Sequence, residues 1–251
     1  MRIVVAGATG AVGRHVVVAG RERGHEVVGM SRSSGQDVIA GTGLREALAG
    51  ADVVIDVTSV MTTSGKAAVS FFRTATRNLL TAEQQAGVGH HVALSIVGID
   101  GIDAAYYAGK HAQEREVAAG DVPWSLLRAA QFHEFAEQML RQLSFGPLTL
   151  APKMLMRPVA AREVAAALVE VAEAGPSGRV PDLVGPTEER LVDLVRRLRR
   201  ADGRRGPTVE MRLPGAYGRG LASGALRGGP DARRGTIDFD GWLRSADHRR
   251  R

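Results

Sequence analysis

The stretch IVVAGATGAVG, Ile3–Gly13, constrains the fold of this chain more than any other. An apolar, β-branched run, Ile3–Ala6, enters glycines at 7, 10 and 13, and a helical pattern over Ala11–Arg23 follows at once. A strand that turns abruptly into a helix needs glycine where the backbone reverses and where helix and strand meet too closely for a side chain. Gly7 suits the tight turn, Gly10 a close approach of backbone to a ligand, and Gly13 the contact of helix with strand. The helix start then offers free backbone amides and the positive end of the helix dipole, a setting that holds a pyrophosphate. The spacing is G-x-x-G-x-x-G rather than G-x-G-x-x-G, so the strand–turn–helix context is what gives the pattern its meaning.

Beyond this loop, short strands alternate with helical segments. Strands are expected at Glu26–Met30, weakly at Asp37–Ile39, then at Asp52–Val57, His91–Ser95 and Trp124–Arg128. Helices are expected at Leu44–Leu48, Lys66–Ala86 and Tyr106–Ala119, the last two stopped by Gly87 and Gly120. The alternation predicts an α/β fold, a Rossmann-like doubly wound parallel sheet. Past Leu148 the regularity fades. Glu163–Glu173 and Glu188–Arg200 read as amphipathic helices, Gly203–Gly235 as a loop or lid, and Ile237–Leu243, with Phe239 and Trp242, as a terminal piece that docks back. The expected organisation is a dinucleotide-binding domain over 1–150 and a smaller C-terminal substrate lobe over 151–251.

Composition narrows the function classes. With 251 residues, 44% apolar and 24% charged, the chain is an ordinary globular protein. No run approaches the roughly 18 apolar residues of a membrane span, and Met1-Arg2 leads directly into a strand without a signal-peptide pattern. There are no cysteines, hence no disulfide and no thiolate site. A cytoplasmic location without membrane attachment is expected. The net charge of +6 resides in the C-terminal tract, where residues 188–251 hold 16 arginines and 9 acidic residues. That tract attracts anions weakly, yet it has few aromatics and no groove-reading motif, so nucleic acid is not an expected partner. Only three of the 33 basic residues are lysines, which makes Lys110 at a motif position informative.

Cofactor choice is read at the end of the second strand. Gly29–Ser34 carries no carboxylate to meet ribose hydroxyls, whereas Arg32 can grip a 2′-phosphate with its planar fork. One charge-assisted hydrogen bond of about 1.5–3 kcal/mol corresponds to about a 10- to 100-fold preference for NADP(H) over NAD(H).

Tyr106 and Lys110 stand four apart on a predicted helix and so share a face. Lowering a phenol from about 10 to about 8 takes about 2.7 kcal/mol, and an ammonium about 5–6 Å away at a dielectric near 20 supplies about 3 kcal/mol. Tyr106 could then donate a proton to a carbonyl, with Ser95 polarising it. Tyr107, three residues from Lys110, competes for that place. The bland alternatives are a tyrosine packing at the helix start and a Lys110–Glu114 pair. His90-His91 lacks metal-ligand spacing and marks a strand start, and His111 reads as a surface residue. His133-Glu134 lies in QFHEF, where Phe132 and Phe135 suit core packing. Met154 and Met156 suit either a hydrophobic substrate pocket or core filling.

Together these pieces resemble the NmrA-like, atypical branch of the short-chain dehydrogenase/reductase family. The resemblance runs through VAGATGAVG, DVVIDVTS, SIVGID, YYAGKHAQE, VPWSLLRAAQFHEF, PVAAREVA and GPTEERLVDL in this order. It implies an NADP(H)-binding Rossmann domain with Gly7, Thr9, Gly10, Ala11 and Val12 along the pyrophosphate and Arg32 at the 2′-phosphate. It places Thr58-Ser59 beside the adenosine ribose, and Ser95, Lys110 and Gln131-Phe132 around the nicotinamide ribose and ring. The family includes reductases of quinones and other small molecules as well as non-catalytic NADP(H) sensors. The first reading is an NADPH-dependent oxidoreductase acting on a small apolar carbonyl or quinone. The alternative is a redox sensor. Substrate and oligomeric state stay open, homo-oligomerisation included.

Overall fold

The computed structural model describes residues 1–102 and 104–249. The chain forms two compact units interleaved along the sequence. The first comprises Met1–Ser95, Asp103–Arg128 and Val164–Val180, and the second Ile96–Ile102, Ala129–Glu163 and Pro181–Arg251.

In the first unit the expected alternation appears as β1 (Arg2–Ala6), α1 (Gly13–Glu22), β2 (Glu26–Met30), α2 (Leu44–Leu48), β3 (Val53–Asp56), α3 (Gly65–Ala86), β4 (His90–Ile96), α4 (Ala105–Ala119) and β5 (Trp124–Ala129). The strands lie in the order β2-β1-β3-β4-β5. β1 pairs in parallel with β2 and with β3, Ile3 facing Val27 on one side and Val53 on the other. β3 pairs in parallel with β4, and Gly178–Arg179 adds a short parallel strand beside β5. Parallel neighbours need crossover helices, which cover the sheet and select continuous apolar strands. All four residues of β3 are accordingly buried. The chain steps from β1 outward to β2, then returns to place β3 on the other side of β1. Sheets of this kind bind ligands outside the strand carboxyl ends at such a reversal.

The strand expected at Asp37–Ile39 does not form. Asp37 makes an isolated antiparallel bridge with Thr42, and its carboxylate accepts hydrogen bonds from the amides of Ile39 at 2.7 Å and Ala40 at 3.2 Å. An aspartate that bonds nearby amides offers the backbone a turn instead of a ladder.

In the second unit Ala129, the last residue of β5, pairs in parallel with Leu183, and Leu183–Val184 pairs in parallel with Arg233–Arg234. A helix, α5 (Glu134–Gln142), precedes a small sheet in which Leu148–Pro152 pairs with Ser144–Phe145 and Thr208–Met211. The expected loop over 203–235 contains regular elements, namely that strand, a helix at Gly215–Ala222 and the strand Arg233–Arg234. Some of its glycines serve close contact. A Cβ on Gly218 would lie 1.8 Å from the Leu213 carbonyl oxygen. The terminal piece docks within its own unit, with Phe239 and Trp242 fully buried and their rings 5.3 Å apart. Among the described residues no helix is long and apolar enough to cross a membrane.

Candidate functional site

The glycine loop at the end of β1 is held by its neighbours. The amides of Gly7 and Ala8 donate to the Met30 carbonyl at 3.0 and 3.2 Å, tying the loop to the end of β2. Gly7 has φ +85°, and a Cβ there would lie 2.9 Å from the Val57 carbonyl oxygen just past β3. A Cβ on Gly13 would lie 2.2 Å from the Gly7 carbonyl oxygen. Both positions are closed to any side chain. Thr9, Gly10 and Ala11 lie exposed on the loop, Val12 and Gly13 are buried, and no side chain caps α1. The first turn of a helix presents amides that its own backbone cannot satisfy. Here the Arg14 and His15 amides donate to the Gly10 and Val12 carbonyls at 3.3 and 2.9 Å, and the loop before them follows the carboxyl end of β1, beside the strand-order reversal.

Arg32 opens a one-turn 3-10 segment two residues beyond β2 and is exposed. The neighbouring hydroxyls form a cluster, with Ser31 Oγ 2.9 Å from Ser33 Oγ and 3.0 Å from Ser34 Oγ. The nearby Asp37 carboxyl is held below its usual range by the Ile39 and Ala40 amides, with a lesser contribution from Arg32.

The end of β3 holds a polar network that sequence reasoning missed. Asp56 is fully buried. It accepts the Thr58 amide at 2.8 Å and the Gln113 side-chain amide at 2.7 Å. Lys110, also buried, donates to the Leu94 carbonyl at 2.6 Å and to the Gln113 side-chain oxygen. Its ammonium lies 4.6 Å from the centre of the Phe72 ring. Burial pushes the lysine down to about 8, opposed by the negative charges of Asp56 and Glu114. The available signals were a carboxylate ending an apolar strand in DVVIDV and a glutamine three residues after Lys110.

Tyr106 is the tyrosine that reaches the strand-end loop. Its hydroxyl lies 2.9 Å from Ser59 Oγ, and its ring meets Phe72 edge-on. Tyr107 is buried in the core. The expected acidification of Tyr106 by Lys110 is not found. Burial pushes the phenol up to about 12, with Ser59 partly offsetting and Asp56 adding to the rise. The ammonium is engaged by Leu94 and Gln113, and Glu114 pairs with Arg128 at 2.6 Å. Just before Tyr106, Ala105 has φ +50°, the one non-glycine residue with positive φ among those described. Such backbone strain persists only where surrounding structure imposes it.

Thr58 and Ser95, at the carboxyl ends of β3 and β4, are buried, and their hydroxyl oxygens lack hydrogen-bond partners. An unsatisfied buried polar group costs about 1–3 kcal/mol, which a ligand group can relieve. The first unit therefore offers an exposed loop at Thr9–Ala11 held tight by Gly7 and Gly13, an exposed guanidinium and two unpartnered hydroxyls. That set fits a phosphorylated dinucleotide.

Gln131 and Phe132 lie in the second unit, where the Gln131 carbonyl accepts the Val159 amide at 3.0 Å and Phe132 bridges Val159. Met154 and Met156 are fully buried there and fill core. His90 bonds Ser125 at 2.8 Å, and His91 lies against the buried Glu83 carboxylate at 2.9 Å, both within the first unit. His111 is half-buried on α4. No group of three or more potential metal ligands occurs among the described residues.

A family model described as NAD(P)H-binding matches residues 7–174. No curated protein matches the chain. Solved structures share its fold at low identity. A nucleoside-diphosphate-sugar epimerase from Staphylococcus aureus is 16% identical with a TM-score of 0.69, over 98% of this chain and 100% of that one. A dTDP-4-dehydrorhamnose reductase from Clostridium acetobutylicum is 15% identical with a TM-score of 0.70, over 100% of both chains. An NADPH-dependent quinone oxidoreductase from Escherichia coli, complexed with NADPH, is 19% identical with a TM-score of 0.68, over 89% of this chain and 90% of that one.

Proposed function

The chain belongs to the NAD(P)H-binding family, and on that premise we propose that it is an NADP(H)-dependent oxidoreductase reducing a small apolar carbonyl or quinone. The observation behind this reading is the pair of buried, unpartnered hydroxyls of Thr58 and Ser95 at the carboxyl ends of β3 and β4. Amides of the Gly7–Gly13 loop would hold the pyrophosphate, Arg32 the 2′-phosphate, and Thr58 and Ser59 the adenosine ribose. Ser95 would serve the nicotinamide end. When bound, the reduced nicotinamide supplies hydride. The likeness to the quinone oxidoreductase supports the substrate class.

Tyr106 would act on the substrate oxygen. A phenol pushed up to about 12 is protonated at neutral pH, the form that donates a hydrogen bond. Such a group stabilises developing negative charge more than it transfers a proton outright. Lys110 would contribute from beneath, balancing Asp56 so that the Thr58-Ser59 segment keeps its place. The engagement of the Lys110 ammonium by Leu94 and Gln113, away from Tyr106, gives a second reading its footing, that of an NADP(H) sensor without turnover.

The test is NADPH consumption with a panel of quinones, ketones and aldehydes, with NADPH binding measured on the same protein. Turnover that falls at least about tenfold in Tyr106→Phe while binding persists is the expected result. Tight NADPH binding without turnover on any panel member would favour the sensor and remove the oxidoreductase.

A further inference from the structure

The arginine-rich tract of residues 188–251 takes no part in the site above, yet it builds one of its own within the second unit. A surface cavity of about 400 Å³ is lined by Arg196, Arg199, Arg200 and Arg204 together with Gly206, Pro207 and Thr208. Its base is unusual. Arg199 is 5% exposed, and its guanidinium donates to the carbonyls of Pro147 at 2.9 Å, Pro207 at 3.2 Å and Arg205, and to the Thr149 hydroxyl. Every one of these partners is neutral. They satisfy hydrogen bonds and leave the charge, and Arg199 Nε has no partner. A buried cation without a counter-charge is costly, and a bound anion relieves the cost.

The loop over 203–208 is shaped to this guanidinium. Gly206 has φ +115°, and a Cβ there would lie 2.2 Å from the Pro147 carbonyl oxygen and 2.8 Å from an Arg199 nitrogen. Arg196 is fixed by a 3.1 Å bond to the Thr208 carbonyl and a 3.0 Å ion pair with Asp193. Among the described residues Arg204 has as its ion pair only a 3.9 Å contact with Asp202, a carboxylate shared with His248. Arg200 is exposed, and no ion pair to it is found among the described residues. Arginines in a last helical turn also offset the helix dipole, but that end carries only about half a negative charge. Even with Asp193 and Asp202 set against them, the four guanidinium groups at this cavity exceed it, and the planar forks of Arg200 and Arg204 suit the oxygens of phosphate.

We propose that this cavity binds the phosphate group of a small phosphate-bearing molecule. The proposal stands apart from the dinucleotide reading, because it uses residues of the second unit alone. The experiment is calorimetric titration of the full chain with inorganic pyrophosphate at low ionic strength, for the wild type and for R200Q/R204Q. Both substituted side chains are outside the core, and circular dichroism verifies folding. Saturable binding that weakens at least about tenfold in the variant, the least expected when either of the two guanidinium groups gave a charge-assisted hydrogen bond, supports the site. A phosphate monoester of a sugar binding more tightly than inorganic phosphate would assign the source to an ester. Absence of saturable binding, or equal binding by the variant, would overturn the site. Binding of single-stranded DNA with no binding of pyrophosphate would also overturn it, marking the patch as a polyanion surface.

Discussion

At the scale of single residues, the chemistry of the site turns on how one buried carboxylate is balanced. Asp56 holds the Thr58 amide and, through Gln113, shares its charge with Lys110. Lys110 invites comparison with a catalytic lysine from sequence alone, because spacing shows which face a side chain shares but not what lies beneath that face. Removing one member of a buried charge arrangement leaves the other uncompensated, at about 3–5 kcal/mol. Asp56→Asn should therefore lower stability by about 3 kcal/mol or more in denaturant titrations. Adding Lys110→Met should restore part of that loss. If the single substitution shifts stability by under about 0.5 kcal/mol, the two charges are not coupled.

Among the elements, the glycines show how much of the fold was legible. Gly7 and Gly13 could be read because their pattern is local: strand, turn and helix lie within a dozen residues. Gly109 could not. In sequence it reads as a weak point of a helix, whereas in the structure a Cβ there would lie 2.7 Å from the Phe72 ring and 2.8 Å from Ala68. It lets α3 and α4 come together under Tyr106 and Lys110. Gly109→Ala gains helix propensity of about 1 kcal/mol, but the backbone of Ala68 cannot yield cheaply, and overpacking costs about 1–3 kcal/mol. The substitution should be destabilising on balance, with a lower thermal midpoint and an altered Tyr106 environment in the near-ultraviolet spectrum. An unchanged or higher midpoint would show that the helices part without penalty.

Taken as a whole molecule, the first unit was legible, and of the second the helix at Leu191–Ala201 and the docking of Phe239 and Trp242 were legible while its strands were not. Those strands are two to five residues long and pair across large separations, as Leu148–Pro152 does with Thr208–Met211, so no local period announces them. His133 shows the same non-locality: its Nε2 bonds the Ile237 carbonyl 104 residues away at 3.0 Å, and its ring meets Phe239 and Trp242. Burial pushes this histidine down to about 4, against smaller opposing effects led by the Ile237 bond. Its folded value lies below the ordinary 6.5, so between about pH 6.5 and 4 the unfolded chain binds the extra proton and stability falls as pH falls. The full loss is up to about 3 kcal/mol. Denaturant midpoints at pH 7 and 4.5 should diverge in the wild type and draw together in His133→Gln. An equal acid loss in both would assign it to other groups.

On the proposed reading, the first unit binds NADPH through the glycine loop and Arg32. The most direct measurement is equilibrium binding of NADPH and NADH, by quenching of protein fluorescence, to the wild type and to Arg32→Gln. We predict NADPH binding about 10- to 100-fold tighter than NADH in the wild type, with the ratio collapsing toward one in the variant through loss of NADPH affinity alone. Equal affinities for the two nucleotides in the wild type, or binding of neither, would contradict it.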